Sequence, residues 1–592
     1  MSVRRTVRTA NVLGAEALFD RRADGTVYVQ SPRPLGSYPD KLTERLEQQA
    51  VHAGARTFLA QRDTSGAWRS ITYAETLTRV RAIAQSLVDR DLNAAKPVLI
   101  LSGNSIEHAL LALACMYAGV TYAPVAPAYS LASAELTTLR YLWKTLEPAL
   151  VFAAEGPIFE KPLAGLIDAH TELVTVTPPE ALRATSFSEL TANPVRGAVD
   201  DAHARVTPDT VAKILFTSGS TGTPKGVITT QRMLCSNQQM LRSFMGFLAD
   251  EPPVLCDWLP WNHVFGGSHN FGIVLYNGGT LYIDEGRPTP AGFAGTLRNL
   301  RDVAPTAFFN VPRAYEMILP ALREDAGFRK HFFSRLNILF YAAAGLNQRI
   351  WDELQDLAVE ACGEEILMMT GLGATESAPF ALSTGVEGAA AGRVGLPVAG
   401  VELKIVPVEG KLEARLRGPS ITPGFWRNPE LTAAAFDEEG FYRLGDALVF
   451  ADPGDPLKGF CFDGRLSEDF KLSTGTWVSV GPLRARLLTF LSGIAQEAVI
   501  AGPDRDYVTA LIFPQAGASM ERLPELLSAF ARQSTGLSTR VQRVVLMDRP
   551  PSMDQGELTE KGSINQRAVL RNRAALVEEL YSGSCRVIEI GE

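Results

Sequence analysis

The feature that most constrains this chain is a recurrence of short apolar, β-branched runs separated by helix-patterned stretches through its first half. Residues 97–101 (Pro-Val-Leu-Ile-Leu) read as a strand, residues 105–117 as a helix and residues 120–124 (Val-Thr-Tyr-Ala-Pro) as the next strand. Such alternation builds βαβ units, whose crossover helices cover a parallel sheet on both faces. It returns at residues 211–216, 253–258, 279–283, 307–310 and 338–341. From about Gly392 the pattern changes: residues 401–406 and 411–417 alternate with period two around a Glu-Gly pair, which predicts an antiparallel hairpin. Residues 452–456 read as a loop, and beyond Gly464-Arg465 a smaller unit begins, with strands expected at 498–500 and 509–513. The expected fold class is α/β. A large N-terminal body of parallel-type sheets with helices takes residues 1–465, with a β-rich subdomain at about 392–465, and a small α+β C-terminal domain takes residues 466–592.

Composition narrows the function. Lys and Arg total 57 against 65 Asp and Glu, a net charge of −8, which argues against the basic face of a nucleic-acid binder. Hydrophobic residues at 46% and charged residues at 21% exclude a wholly disordered chain. Six scattered cysteines with no C-x-x-C pair predict free thiols, no zinc site and a reducing, cytoplasmic setting. The N-terminal stretch has arginines but no apolar h-region, so no leader is expected. The longest uncharged stretch, between Glu107 and Glu135, is broken by Gly119, Pro124 and Pro127 and reads as a buried helix and strand, with no membrane span expected.

The segment Thr217-Ser-Gly-Ser-Thr-Gly-Thr-Pro-Lys-Gly226 follows the apolar run 211–216 directly. Its small residues Thr217, Ser218, Gly219, Ser220, Thr221 and Gly222 let backbone N–H groups and hydroxyls approach an anion, and Lys225 supplies charge for a polyphosphate. It is not a Walker A loop, because Pro224 precedes the lysine and Gly226 follows it. A flexible linker seldom follows a buried strand directly and ends in Pro-Lys-Gly.

This segment resembles the phosphate loop of the adenylate-forming superfamily of acyl- and aryl-CoA ligases, luciferases and peptide-synthetase adenylation domains. Further blocks resemble that superfamily in the same order: Trp258-Leu-Pro-Trp-Asn-His263, Thr370-Gly-Leu-Gly-Ala-Thr-Glu376, Tyr442-Arg-Leu-Gly-Asp446, Asp463-Gly-Arg465 and the lysine block 557–567. Residues 101–110, 123–130 and 462–484 are similar to bacterial feruloyl-CoA synthases, which attach CoA to hydroxycinnamic acids during breakdown of lignin-derived aromatics.

The resemblance implies ATP, Mg and CoA as cofactors and a small aryl carboxylate as substrate, with a homodimer as an open oligomeric state. It implies Glu376 as the magnesium carboxylate, Thr375 as an α-phosphate donor, and Asp446 and Arg465 at the ribose. Ala343, Ala344 and Gly345 would admit an adenine ring, and Leu372 stands where most of the superfamily has an aromatic residue, which implies an aliphatic contact. His263 and Phe265 would line an aromatic-acid pocket with Gly371, whereas His269 is expected to be structural. Lys561 resembles the adenylation lysine, although it precedes Gly562 where the commonest pattern has Gly-Lys, and Lys471 resembles a second lysine used after the C-terminal domain turns. Ser467 takes the hinge position of that mobile domain, and Gly475 belongs to a loop approaching the pantetheine thiol. Other readings remain open: a ligase for a benzoate or a medium-chain fatty acid, a carrier-loading or reductase module, and a non-catalytic binding protein. For the module, no carrier or Rossmann domain is expected after residue 592.

Overall fold

The computed structural model describes residues 6–133, 135–218, 224–386, 390, 392–515, 517–552, 555–558, 564–584 and 586–590. The strand Val98–Ile100 is buried on both faces, and the helix Ile106–Ala118 that follows is buried nearly all round. That helix starts where the Ser105 side chain accepts from the His108 amide and ends at Gly119, which adopts φ 71°. Together with Tyr122–Pro124, Leu150–Phe152, Glu172–Thr175 and Thr185–Ser186 these strands form a parallel array. Val211–Ser218 extends it in parallel and turns back antiparallel as Pro224–Thr230, giving seven strands. Lys225 therefore lies on the returning strand of this antiparallel pair and not at the start of a crossover helix.

A second sheet of eleven strands carries the parallel set Ala307–Asn310, Ile338–Tyr341 and Leu367–Leu372 at one edge. It continues without a break through the antiparallel strands Leu382–Ser383, Arg393–Pro397, Phe460–Arg465, Tyr442–Phe450, Lys411–Arg417 and Glu402–Val408. The β-rich segment expected at about 392–465 is thus a continuation of the sheet of the α/β body. Two N-terminal strands close its far edge: Val27–Gln30 pairs with Glu402–Val408, and Leu18–Arg21 pairs with Val27–Gln30. The hairpin expected around Glu-Gly is present, with Val408 opposite Lys411. Glu409 and Gly410 both have positive φ, 49° and 88°, the type I′ geometry that matches strand twist. A four-stranded sheet, Val254–Asp257, Thr280–Ile283, Thr57–Arg62 and Trp68–Thr72, lies between them in sequence. Among the described residues no helix is long and apolar enough to cross a membrane.

Residues beyond 469 build two hydrophobic clusters of their own, centred on the sheet Ala495–Ala501, Val508–Pro514, Val541–Leu546 and Val587–Glu589. They are tied to the body at the hairpin just described. Lys411 Nζ pairs with the fully buried Asp469 carboxylate and donates to Asp463 O at 2.7 Å and Ser479 Oγ at 2.8 Å. Trp477 Nε1 donates to the Glu409 carbonyl. Burial raises the Asp469 carboxyl pKa, and the Lys411 ammonium opposes that rise. Removing one partner of a buried ion pair leaves the other charge uncompensated. Lys411→Met is expected to cost about 3 kcal/mol in urea unfolding, with Lys411→Met/Asp469→Leu recovering part of the loss; an unchanged midpoint in the single variant would count against this anchor.

Candidate functional site

Tyr341 and Thr370 lie opposite each other near the C-terminal ends of adjacent parallel strands. Open α/β sheets bind ligands beyond such ends. The strand Leu367–Leu372 leads into a single 3₁₀ turn, Thr375–Ser377, that buries Thr375 and Glu376. Glu376 Oε1 lies 3.0 Å from Lys225 Nζ, on the strand Pro224–Thr230, and that ammonium sits 4.4 Å from the centre of the Phe425 ring. The turn is stitched to the lysine's strand: Thr422 N donates to Glu376 O at 2.8 Å, and Thr422 Oγ1 donates to Ile228 O at 2.7 Å. Burial, reinforced by the Glu376 carboxylate, raises the Tyr442 hydroxyl pKa beside the pair.

Asp446 and Arg465 face each other across Tyr442–Phe450 and Phe460–Arg465, with Arg465 Nε 3.4 Å from Asp446 Oδ1. Burial, with the Glu376 and Glu468 carboxylates adding to it and Arg465 opposing, pushes Asp446 up to about 6. Thr217, near the end of Val211–Ser218, has a buried hydroxyl with no partner. Ser218 ends that strand opposite Pro224. Its side chain, and Gly219, Ser220, Thr221, Gly222 and Lys561, lie outside the described residues.

Ala343, Ala344 and Gly345 are exposed just past the strand Ile338–Tyr341, and Ala343 adopts φ 74°. Leu372 is half-buried against the core. A Cβ on Gly371 would stand 2.3 Å from the Leu382 carbonyl oxygen, so strand pairing itself demands glycine there. Lys471 pairs with Glu409 at 3.5 Å and lies 4.9 Å from the centre of the Trp477 ring, while Lys225 is the cation on Glu376. Gly475 forms the turn between Phe470–Lys471 and Trp477–Val478 at φ 80°. Ser467 lies in the turn after Phe460–Arg465, where the amides of Glu468 and Asp469 donate to Arg465 O.

The loop carrying His263 follows the strand Val254–Asp257 and is braced by Asn104, which donates to Leu259 O and accepts from Trp261 N, both at 2.9 Å. His263 O accepts from Gly267 N at 2.7 Å, and a Cβ on Gly267 would lie 2.1 Å from the Trp261 carbonyl oxygen. The chain then forms a π-helix, Phe265–Asn270, that continues as the α-helix Phe271–Asn277. A π turn shifts carbonyls off the α-helical ladder, and such turns concentrate at functional sites. Here Lys213 Nζ donates to Gly267 O at 2.8 Å and Gln238 Nε2 to Ser268 O at 2.8 Å.

Lys213 is fully buried in the strand Val211–Ser218, and burial pulls its pKa down to about 7. Sequence reading passed over it, although a lysine inside Val-Ala-Lys-Ile-Leu-Phe is itself an anomaly in an apolar run. His269, expected to be merely structural, is buried with Nε2 unpartnered. Among the described residues no three His, Cys, Asp or Glu side chains gather as a metal cluster.

Residues 46–426 match the family described as AMP-binding enzyme. The chain belongs to this family of AMP-binding enzymes. A carboxylic acid reductase of Mycobacterium marinum is 24% identical over 572 residues, covering 87% of this chain and 47% of the reductase. The chain spans about half the length of the carboxylic acid reductases it matches. A 3-hydroxybenzoate–CoA ligase of Aromatoleum sp. is 25% identical over 461 residues, covering 76% of this chain and 81% of the ligase. Among solved structures, an anthranilate CoA ligase in complex with anthranoyl-AMP has the same fold, with a TM-score of 0.72, 20% identity and coverage of 93% of this chain and 99% of that one.

The buried lysine gives this AMP-binding enzyme a pH signature. Lys213 holds its proton less tightly folded than unfolded, so between about pH 7 and 10 the unfolded chain binds more protons and stability rises with pH. The stability of the wild type minus that of Lys213→Met is expected to grow across that window in urea unfolding. A difference that stays constant from neutral to alkaline pH would contradict a lysine whose pKa is lowered by burial.

Proposed function

We propose that this AMP-binding enzyme is an ATP-dependent acid–CoA ligase for hydroxycinnamic acids such as ferulate, p-coumarate and caffeate. The observation that carries the reading is the meeting of Lys225 and Glu376 at the strand ends, close to Asp446. A carboxylate is a poor electrophile, because its leaving group would be oxide. One of its oxygens attacks the α-phosphorus of ATP, the bond to the β-phosphate oxygen breaks, and pyrophosphate leaves. The CoA thiolate then attacks the acyl carbon of the mixed anhydride, and AMP departs with the electron pair of the broken C–O bond.

Charge stabilisation and positioning dominate such a reaction. Lys225 offers its ammonium to the polyphosphate, Thr375 donates to the α-phosphate, and the unpartnered Thr217 hydroxyl is a further donor. Asp446 accepts the ribose hydroxyls, and Arg465 is a fixed fork suited to ribose or phosphate. Glu376 fits a magnesium ion, because it is a buried hard-oxygen donor already facing a cation, and magnesium typically takes one or two carboxylates with substrate phosphates. Bound there, the ion would neutralise polyphosphate charge. His263 shapes the acid pocket and takes no proton, since the attacking carboxylate has none to give.

In this reading residues 466–592 turn about Ser467 between the two half-reactions, with Lys561 serving adenylation, and Lys471 and the Gly475 loop serving thioester formation. A second reading, the adenylating part of a reductase, draws on the similarity to carboxylic acid reductases. Pyrophosphate release and acyl-CoA formation measured over a panel of acids separate the possibilities. Ferulate and p-coumarate are expected to give the highest kcat/KM, with octanoate and benzoate far lower and free CoA accepted. A fatty acid at the top of the panel would overturn the substrate assignment, and acyl-AMP that accumulates without thioester would favour the reductase reading.

A further inference from the structure

The chain crosses from the body to the C-terminal unit in a few residues. The strand Phe460–Arg465 belongs to the eleven-stranded sheet, Phe470–Lys471 to a small hairpin beyond it, and residues 466–469 run between them. Lys411 sits astride this crossing. A lysine ammonium has three protons to donate and accepts none. Here it meets the Asp463 carbonyl oxygen before the crossing, the Asp469 carboxylate at its end and Ser479 Oγ beyond it. The Asp469 side chain is fully buried, and its other oxygen, Oδ1, accepts from Val480 N at 2.8 Å at the start of the helix Val480–Phe490. A Cβ on Gly464 would lie 2.8 Å from Asp469 Oδ2, so the carboxylate is pressed against the end of the body's own strand.

The hairpin that carries Lys411 holds two more groups of the C-terminal unit. Lys471 pairs with Glu409 at 3.5 Å, and Trp477 Nε1 donates to the Glu409 carbonyl. Among the described residues two ion pairs join the two parts, and both start on this hairpin. While they stand, Lys471 and the strand after the Gly475 turn are engaged at the hairpin, and Lys225 is the cation on Glu376. Hinge motions place their torsional change in a few connecting residues. A turn of the C-terminal unit about residues 466–468 carries Asp469 and Ser479 away from Lys411 and leaves Asp463 behind. It breaks two of the three ammonium contacts at once, and the loss of a buried counter-charge opposes it.

Resting on the ligase reading of this site, we infer that Lys411 is a latch across the crossing that sets the balance between the two half-reactions: shut on Asp469 and Ser479 it holds the C-terminal unit in the orientation for acyl-adenylate formation, and it opens for thioester formation. Lys411 acts through the orientation of that unit and is a positioning residue. The shut state is the adenylating one because it keeps Lys471, assigned to the second half-reaction, on Glu409. Each half-reaction proceeds in proportion to the fraction of molecules in its orientation, so a weaker latch slows the first relative to the second.

The test measures the half-reactions separately in the wild type and in Lys411→Met: pyrophosphate release with an acid the wild type activates, and CoA thioester formation from the purified adenylate of the same acid. The ratio of the second rate to the first is expected to rise by about 10-fold or more in the variant, because losing one partner of a buried ion pair moves an equilibrium by at least that factor. Amide hydrogen exchange of residues 470–480 in the full chain is expected to quicken alongside. Should Lys411→Met fail to fold, Ser479→Ala removes one acceptor without stranding a charge, and it is expected to raise the same ratio by about 3-fold, the scale of one hydrogen bond. Rates that fall together, a ratio that drops, or exchange that keeps the wild-type pace would overturn the inference while leaving the ligase reading intact. If the wild type releases pyrophosphate with no acid of the panel, the ligase reading fails and this inference falls with it.

Discussion

The ion pair between Lys225 and Glu376 is where the two large sheets meet. Lys225 stands on the antiparallel edge of the seven-stranded sheet, and Glu376 on the turn that leaves a parallel strand of the eleven-stranded one. A partly buried pair of this kind is weak evidence for stability, because desolvation offsets much of the attraction. Its consequences lie in the field around it. Glu376 helps to raise the pKa values of Asp446 and Tyr442, so three oxygen-bearing side chains sit in one electrostatic environment, with Lys225 compensating Glu376 and Arg465 opposing the rise at Asp446 and Tyr442. A site with that balance is suited to a ligand that brings both phosphate and cation.

The second constraint is the π-helix behind His263. Widening one turn lets Gly266 and Gly267 press against the carbonyls of Leu259 to Trp261, a contact that any Cβ would prevent. The carbonyls displaced by that turn are taken up by Lys213 and Gln238. On this π-helix His269 is buried, with Nδ1 2.8 Å from Asn270 Oδ1 and Nε2 unpartnered.

Much of the body was legible in local pattern. The strands Ala307–Asn310 and Ile338–Tyr341 have the bounds their apolar runs suggest, and the Glu409-Gly410 turn follows from two period-two runs with a residue pair that tolerates positive φ. The pairing of Val27–Gln30 with Glu402–Val408 was not legible, because no local signal says which distant edge a short strand will join. Glu376 and Asp446 came from motif resemblance, and their proximity needed the fold. His269, expected to be structural, is buried, and a lone histidine in a sequence does not reveal that its second nitrogen is left unpartnered. Lys471 illustrates another limit, since its neighbour Glu409 depends on how the C-terminal unit sits against the hairpin.

The central claim is that Lys225 and Glu376 act as one unit on the nucleotide's phosphates. Its most direct test is ATP–pyrophosphate exchange, with an acid the wild type activates, in Lys225→Met, Glu376→Gln and the double variant. Groups that work as a unit are strongly non-additive. Each single change is predicted to lower exchange by about 100-fold or more, the scale of losing one charge-stabilising group, with the double variant little worse than either. Near-normal exchange in either single variant, or losses that multiply in the double, would contradict the account.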